Sequence, residues 1–284
     1  MRITACITTM NRTQQLDACL QALWNSHVKP YGVVVSDDSP DQEIQQQNYE
    51  VVQKYPSTTY ILGPRRGVSA NRNNAVNAVP ESETDLVAFV DDDICVEPDF
   101  IGKAVEKYNQ MPAQQRERTI ISGVSRNLDG REGSPTKLSF RGYFCSSETP
   151  EAVNIHAALF PRVFFAQEQW DENIFIGYED AELCLRALKR GYQILHCPEL
   201  RVLNTGKEPT MSGSTEGQLL DGDIKVEAAR LYVGVKRYKN LFPNPFKLVA
   251  FITVYFLHMT IYLWRRGSIQ SLPAIIQSSR IQYL

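Results

Sequence analysis

Three consecutive aspartates, Asp91, Asp92 and Asp93, follow the apolar run "DLVAFV". Carboxylates crowded at the end of a strand repel one another, so the pattern needs an explanation. One explanation is a solvated turn, because aspartate favours turns and helix caps. The other is a site for a hard divalent cation, whose oxygen ligation would offset the repulsion. We favour the cation site, because polar residues follow other apolar runs in the same way.

Those further polar residues lie after the first two apolar runs of the chain, where we predict strands. They are Thr8, Thr9 and Asn11 after the first run and Asp37 and Asp38 after the second. Open α/β sheets bind their ligands beyond the carboxyl ends of the strands. The sequence therefore predicts that these groups and the aspartate triplet meet at one edge of a sheet.

A second acidic group, Glu179 and Asp180, begins the segment "EDAELCLRALKRGY". Ala181, Cys184, Leu185 and Leu188 predict a helix there that ends at Gly191. The alternative to a functional role is an acidic first turn, which the helix dipole favours by roughly 0.3–1 kcal/mol for each acid. We expect the same dipole to keep these carboxylates ionised.

The remaining elements predict the α/β fold class. Apolar runs alternate with amphipathic segments through the first hundred residues, which indicates βαβ units and a mainly parallel sheet flanked by helices. In the first helix, Leu16, Cys19, Leu20 and Leu23 form one apolar stripe. Residues 120–165 are less regular, and "YQILHCP" and "LRVLN" are predicted as two later strands.

The C-terminal part differs in character, and we predict a domain boundary between residues 213 and 214, followed by a helical extension over 214–284. Its run from Leu248 to Trp264 carries no fixed charge, and Arg265 and Arg266 follow. The run is short for a membrane span, and aromatic residues with basic flanks suit the membrane interface. We expect an interfacial helix; a spanning helix and a soluble core or oligomer contact stay as alternatives.

Composition sets wider limits. The chain has 284 residues, of which 43% are hydrophobic and 22% charged, as in globular proteins. Its net charge of −2 gives no reason to expect a nucleic-acid partner. The six cysteines are scattered without a CxxC pair, which suggests reduced thiols. The first residues lack the anatomy of a signal peptide. We therefore expect a cytoplasmic protein, peripheral on the inner face of the cell membrane.

Five motifs in order resemble one family, the family 2 glycosyltransferases of the GT-A fold, across about Ile3 to Gly206. These inverting enzymes use nucleotide sugars. The motifs are "ITTMNR", "VVVSDDSPD", "GVSANRNNAV", "FVDDDICVEPDF" with its Asp-x-Asp pattern, and "WDENIFIGYEDAELCLRALKRGY". The resemblance implies a UDP-sugar donor, or a dTDP-sugar, and a glycan or lipid-linked acceptor hydroxyl in polysaccharide or glycolipid biosynthesis.

The resemblance also implies roles for individual residues. Asp180 would be the general base, with Glu179 beside it, and Asp93 would coordinate Mg²⁺ or Mn²⁺ on the diphosphate. Many family members place a metal-binding His where this chain has Asn204, which would be a weaker ligand; His196 lies earlier and is predicted to be structural. Asp37 would bind the nucleobase. The implied donor-binding residues are Thr8, Arg12, Asp37, Arg72, Asp91 and Asp92.

Two other functions compete with this interpretation. A sugar nucleotidyltransferase also uses acids and Mg²⁺ on an α/β sheet, but it needs a Gly-rich phosphate loop after the first strand. The segment "TTMNRTQQ" contains no glycine. An inactive nucleotide-sugar-binding subunit of an assembly is the second alternative, and the presence of Glu179 and Asp180 argues against it.

Overall fold

The computed structural model of the protein describes residues 1–206 and 219–284. The predicted boundary between residues 213 and 214, and the first residues of the predicted helical extension, lie outside the described residues. The strands of the described chain are β1 (Ile3–Thr9), β2 (Gly32–Asp37), β3 (Thr58–Leu62), β4 (Leu86–Asp91), β5 (Ile94–Val96), β6 (Thr119–Asn127), β7 (Glu132–Gly133), β8 (Thr136–Leu138), β9 (Phe144–Ser146), β10 (Ala158–Pro161) and β11 (Gln193–Asn204).

The helices flank the sheet and follow the predicted alternation in the first hundred residues. They are α1 (Thr13–Asn25), α2 (Gln42–Val52), α3 (Val68–Asn77), α4 (Phe100–Asn109), α5 (Ala113–Arg116), α6 (Glu179–Lys189), α7 (Asp221–Lys236), α8 (Pro245–Arg265) and α9 (Leu272–Ser278). The predicted stripe of α1 is correct, because Leu16, Cys19, Leu20 and Leu23 are all buried. Gly191 ends α6 with a positive φ of 80°.

One mixed sheet forms the centre of the molecule, in the order β3-β2-β1-β4-β10-β6-β11-β5, with β7 on β6. Strands β1 to β4 are parallel to one another, as predicted. Strand β10 is antiparallel to both of its neighbours, and β5 is antiparallel to β11. The predicted fold class, an α/β fold with a mainly parallel sheet between helices and a helical C-terminal region, is confirmed.

The aspartate triplet lies where the chain leaves the middle of the sheet. Strand β4 ends at Asp91, and β5 begins at Ile94 but pairs with β11 at the far end of the strand order. The turn at Asp92 and Asp93 therefore joins two distant parts of the sheet, which brings the end of β11 close to the triplet.

The later strands differ from the prediction in one respect. The segments "YQILHCP" and "LRVLN" were expected to be two strands, but both belong to the single strand β11. Its pairing with β6 shifts register between His196 and Arg201. Pro198 lies inside this interruption, where its missing N–H costs no ladder hydrogen bond.

The three C-terminal helices pack on one another and on α6. The side of α8 that carries Phe251, Tyr255, Met259 and Leu263 is buried against α7 and α9. Ion pairs attach this region to the rest of the molecule; among them, Lys236 lies 2.7 Å from Glu182, and Arg237 lies 2.9 Å from Glu151. Helix α8 is also long and apolar enough, by length and composition, to cross a membrane.

Candidate active site

The ends of β1, β2 and β4 set which polar side chains share a face of the sheet. Thr8 lies in register with Ser36 on β2 and with Asp91 on β4. In-register residues of neighbouring strands point to the same face, and successive residues alternate. Thr8, Ser36 and Asp91 therefore face α3, where Asn71 accepts a hydrogen bond from Ser36. Thr9 is in register with Asp37, and both face the opposite side.

Arg72 on α3 is buried and joins two acids that are far apart in sequence. Its Nη2 lies 3.1 Å from Oδ1 of Asp91, and its Nη1 lies 3.0 Å from Oε1 of Glu179. The guanidinium also lies 4.9 Å from the ring centroid of Trp170. Burial opposes its charge, but Asp91 and then Glu179 outweigh burial and raise the pKa of Arg72. The predicted donor-binding arginine thus connects the triplet to the acidic start of α6.

The cluster around Arg72 leaves buried polar atoms without partners. Arg72 Nε, Glu179 Oε2 and His156 Nδ1 have no hydrogen-bond partner among the described residues. His156 Nδ1 lies 3.5 Å from Asp91. Burial would raise the pKa of Asp91, but Arg72 and His156 lower it overall, so this carboxylate stays ionised. Such unpaired atoms are costly unless a ligand or water meets them, which marks a binding site.

The other two aspartates of the triplet, Asp92 and Asp93, both pair with Arg12, which directly precedes α1. Arg12 Nη1 lies 3.0 Å from Oδ1 of Asp92 and 2.9 Å from Oδ2 of Asp93. Thr9 donates a 2.7 Å hydrogen bond to the second oxygen of Asp92. Burial raises the pKa of Asp92 to about 6, against the opposing effect of Thr9 and Arg12. Asp92 is therefore held by protein groups at both oxygens, whereas among the described residues Asp93 has a side-chain partner at one oxygen only.

Asp93 and Asn204 border the same small space at the end of β11. A Cβ atom placed on Gly206 would lie 2.2 Å from Oδ2 of Asp93 and 3.0 Å from Oδ1 of Asn204. Thr205 holds the turn by donating from its hydroxyl to the Asp93 carbonyl. Two hard oxygen atoms around one point fit part of the ligand set of Mg²⁺ or Mn²⁺. No group of three or more His, Cys, Asp or Glu side chains among residues 1–206 and 219–284 forms a complete cage.

Asp37 does not lie at the open edge, which corrects the expected position of the nucleobase acid. Its side chain is fully buried on the α2 side of the sheet. One oxygen accepts from the Ser39 N–H, and the other accepts from Asn48 and from the Tyr60 hydroxyl. A nucleobase could reach this carboxylate only by breaking these hydrogen bonds.

The next residue, Asp38, follows on the same face as Thr8. Its Oδ1 accepts from the Arg65 N–H, and a Cβ atom on Gly63 would lie only 2.2 Å from that oxygen. Burial raises the pKa of Asp38. Its Oδ2 makes no hydrogen bond among the described residues. Side chains along β2 alternate between the two faces of the sheet. This alternation was the sequence signal that places Asp37 and Asp38 on opposite faces.

A sharp turn places Glu179 and Asp180 at the start of α6. Gly177 and Tyr178 both have positive φ, 79° and 65°, and for a tyrosine this left-handed conformation is strained. Burial and then Glu179 raise the pKa of Asp180 to about 7. Burial and the neighbouring carboxylate therefore oppose the helix dipole, which we expected to favour an ionised Asp180.

One predicted residue and two overlooked residues complete the account of the site. His196, eight residues before Asn204 on β11, is exposed and lies roughly 26 Å away along the strand, so it does not reach the triplet. Sequence reasoning missed His156 and Trp170. His156 meets Asp91 and Trp170 meets Arg72, and both are tertiary contacts between distant segments.

Comparison with known proteins identifies the family. A sequence model described as "Glycosyl transferase family 2" matches residues 4–160, more than half of the chain. The chain belongs to glycosyl transferase family 2. The match covers the strand ends with Thr8, Arg72 and the aspartate triplet. No curated protein matches this family 2 glycosyltransferase in sequence.

Solved structures share the fold of the family 2 glycosyltransferase over nearly its whole length. Residues 1–349 of S. aureus TarS match with 14% identity and a TM-score of 0.61, covering 99% of this chain and 81% of that one. The same TarS segment in complex with UDP-GlcNAc matches with 17% identity and a TM-score of 0.59, covering 100% and 84%. Its complex with UDP gives 16% identity and a TM-score of 0.63, covering 99% and 81%. At these identities the likeness concerns the fold.

Proposed function

We propose that this glycosyltransferase moves a sugar, with inversion, from a nucleoside diphosphate donor to an acceptor hydroxyl. The observation that carries the proposal is the buried Arg72 guanidinium, which ties Asp91 at the end of β4 to Glu179 beside Asp180. It fixes the donor-side triplet and the acidic pair in one place. UDP-sugars are the favoured donors, with dTDP-sugars as the alternative, and the TarS structures with UDP and UDP-GlcNAc support this choice.

For the donor, we assign the nucleobase to Asp38 and no longer to Asp37. Asp38 has a carboxylate oxygen not used by the described protein and shares a face with Thr8 and Asp91, whereas Asp37 is enclosed by its own hydrogen bonds. Thr8 and Asp91 then border the ribose and sugar. Arg12 pairs with two of the carboxylates that would face the diphosphate, so it would change partners when the donor binds.

Asp93 and Asn204 are the residues that would hold Mg²⁺ or Mn²⁺. When bound there, the ion neutralises the charge that develops on the departing diphosphate. The protein's own part is to present the two oxygens around the same point, where Gly206 has no side chain to crowd them. In the structure these oxygens accept from protein groups, Asp93 Oδ2 from Arg12 and Asn204 Oδ1 from the Gly206 N–H, so the ion would replace these donors.

Asp180 is the proposed general base. It accepts the proton of the acceptor hydroxyl while the oxygen of that hydroxyl forms a bond to the anomeric carbon. The bond from that carbon to the diphosphate oxygen breaks on the opposite side, so the configuration inverts. With a pKa of about 7, Asp180 is partly ionised at neutral pH and can both take up and release this proton. Glu179, held by Arg72, keeps that pKa raised and stays out of the proton transfer.

We propose that the acceptor is met at a membrane surface, on the cytoplasmic face. The outward side of α8 is apolar and uncovered by described residues: Phe246 is 87% exposed and Trp264 74% exposed, with Val249, Leu257 and Ile261 between them. Lys247 and Arg265 flank this side. The opposite side of α8 is buried from Phe251 to Leu263. A helix docked in this way suits an interfacial position better than a span, which would surround it with lipid.

Purified full-length protein tests the proposal. We expect slow hydrolysis of a UDP-sugar in Mn²⁺ without acceptor, and release of the sugar as the inverted anomer, which proton NMR distinguishes. A panel of UDP- and dTDP-sugars in a thermal-shift assay identifies the donor. Retention of configuration, or stabilisation by no nucleotide sugar in the panel, would contradict the proposed reaction.

A further inference from the structure

The loop between β8 and β9 carries an exposed arginine to the side of α8. The ring of Tyr143 in this loop contacts two guanidinium groups, those of Arg230 at 4.2 Å and Arg141 at 5.4 Å from its centroid. The Tyr143 hydroxyl lies 3.4 Å from Nδ1 of His258 on α8. The hairpin loop and the helix are therefore joined through polar and aromatic side chains.

The contacts continue along α8 from His258. Its ring stacks on that of Tyr262 with an interplanar angle of 6° and a centroid distance of 6.4 Å. Arg266 donates to the Tyr262 hydroxyl, and its guanidinium lies 5.5 Å from the same ring. We name this set of five side chains the basic stripe: Arg141, Tyr143, His258, Tyr262 and Arg266.

The basic stripe carries positive charge that the protein does not neutralise. Arg230 behind it is fully buried and paired with Glu227. By contrast, neither Arg141 nor Arg266 lies within ion-pair distance of an acid in the part of the chain that the structure describes. Burial, followed by Arg230 and Arg141, lowers the pKa of His258, as expected in cationic surroundings. Two arginines with free donors favour a phosphate group, because guanidinium binds it through two parallel hydrogen bonds.

One side of the basic stripe borders the apolar face of α8. Leu257 and Ile261 are exposed; Ile261 lies three residues after His258 and four after Leu257, so it is a neighbour of both on the helix surface. An amphiphilic ligand could therefore place a hydrocarbon chain along the apolar face and an anion on the stripe. A soluble anion would use only the stripe.

The hairpin also leads from the stripe to the catalytic turn. Phe144, next to Tyr143, stacks on Tyr178 with a centroid distance of 4.7 Å and an interplanar angle of 19°. Tyr178 directly precedes Glu179 and Asp180. A group held on the stripe therefore lies on the same hairpin that packs against Tyr178, two residues before the proposed base.

We propose that the basic stripe binds the phosphate or diphosphate of a lipid-linked acceptor, whose chain lies in the bilayer along α8 and whose sugar reaches Asp180. The proposal rests on the proposed function, since it names the acceptor class of the same reaction. It assigns Arg141 and Arg266 to the acceptor and leaves the donor site unchanged.

Vesicle binding by the full-length protein tests this inference. The probe is geranylgeranyl diphosphate in phosphatidylcholine vesicles, compared with phosphatidylglycerol at equal surface charge. Arg141→Ala and Arg266→Ala should each weaken binding to the diphosphate vesicles by roughly tenfold or more, as expected for a lost hydrogen bond to a charged group. Arg265→Ala is the matched control, because Arg265 is equally basic but exposed one position away.

Several outcomes would overturn the inference. Equal losses in Arg265→Ala and Arg266→Ala, or equal binding to both vesicle types, would mean attraction by general surface charge. Complete competition by inorganic diphosphate would mean that the site binds the soluble anion. Unchanged vesicle binding in both Arg141→Ala and Arg266→Ala would mean that the basic stripe is not a binding site. If Arg266→Ala does not fold, Arg266→Gln replaces it in the assay, because glutamine keeps a hydrogen-bond donor for Tyr262.

Donor hydrolysis separates this result from the proposed function. All stripe variants should hydrolyse the UDP-sugar at the wild-type rate, because none of these residues touches the donor site. Lipid binding without any nucleotide-sugar hydrolysis in the wild type would contradict the proposed function alone. Hydrolysis without selective diphosphate binding would contradict the stripe alone.

Discussion

The guanidinium group of Arg72 lies 3.0 Å from the carboxylate of Glu179, a residue 107 positions later in the chain. Both side chains are largely buried, and the same guanidinium reaches Asp91. This contact joins α3, the end of β4 and the start of α6 at one point. The positions of the aspartate triplet and of the acidic pair therefore depend on each other.

Loss of Arg72 should affect both stability and activity. Arg72→Met leaves the largely buried carboxylate of Glu179 without its partner and also removes the guanidinium from Asp91, and breaking a buried pair costs about 3–5 kcal/mol of the free energy of unfolding. Urea denaturation measures this. The control is Arg66→Met, which removes an exposed ion pair with Glu172 that contributes about 0–1 kcal/mol. Equal losses in the two variants would contradict the central role of Arg72.

The raised pKa of Asp180 predicts the pH dependence of the reaction. The base must be deprotonated, so the rate should fall as pH drops through about 7. Since Glu179 raises this pKa, Glu179→Gln should move the fall to lower pH. Asp180→Asn should reduce kcat by roughly 10²–10⁴-fold, with donor binding retained. If Asp180→Asn were active and Glu179→Gln inactive, the general base would be Glu179 and not Asp180.

Asp37 and Asp38 should respond differently to the same change. Asp38→Asn should weaken UDP binding, measured by calorimetry, with little effect on thermal stability. Asp37→Asn should lower stability, because Tyr60 and Asn48 lose a charged acceptor, at a cost of roughly 1–3 kcal/mol. UDP affinity should change little in that variant. If Asp37→Asn abolished UDP binding at unchanged stability, our correction would be wrong.

The metal assignment predicts a loss that is visible without turnover. Asp93→Asn should abolish Mn²⁺-dependent binding of UDP while the protein stays folded. Gly206→Ala should weaken it as well, since the added Cβ would crowd Asp93 Oδ2 at 2.2 Å. His196→Ala, on the same strand but far from the triplet, is the control. Mn²⁺-dependent binding that survives in Asp93→Asn would exclude this aspartate as a ligand.

Membrane attachment should depend on the outward side of α8. Replacement of Leu257, Ile261 and Trp264 by Gln should release the protein from anionic vesicles in a flotation assay, because each large apolar side chain contributes about 1.5–3 kcal/mol when buried. Gln at Thr253 and Thr260, on the same exposed side, is the matched control. Point variants are preferable to truncation before Phe242, which would uncover α7.

Two results would change this view of α8. Full-length protein that binds no vesicles would contradict membrane attachment altogether. Cleavage beyond Gly267 by protease added outside intact cells would show that the helix spans, which disagrees with its buried side.

The sequence by itself determined the local features of this protein. Continuous apolar runs that end in polar residues predicted the parallel strands and the sheet edge. The stripe in α1 and the glycine after α6 predicted those helices, because side-chain spacing and backbone conformation are local properties. The ordered motifs around Thr8, Arg72 and Asp180 were sufficient for the family.

Only the tertiary structure decided which of these residues are free to act. Asp37 and Asp38 are adjacent and chemically identical. The packing of α2 encloses Asp37, whereas Asp38 keeps one oxygen that the described protein does not use. The dipole of α6 predicted an ionised Asp180, but its pKa depends on burial and on Glu179, whose place is fixed by Arg72 from another helix. The apolar segment of α8 had three interpretations, and the packing of one of its sides against α7 and α9 is the tertiary feature on which our preference for the interfacial one rests. Burial and charge pairing between distant segments depend on contacts throughout the fold, so no local sequence pattern predicts them.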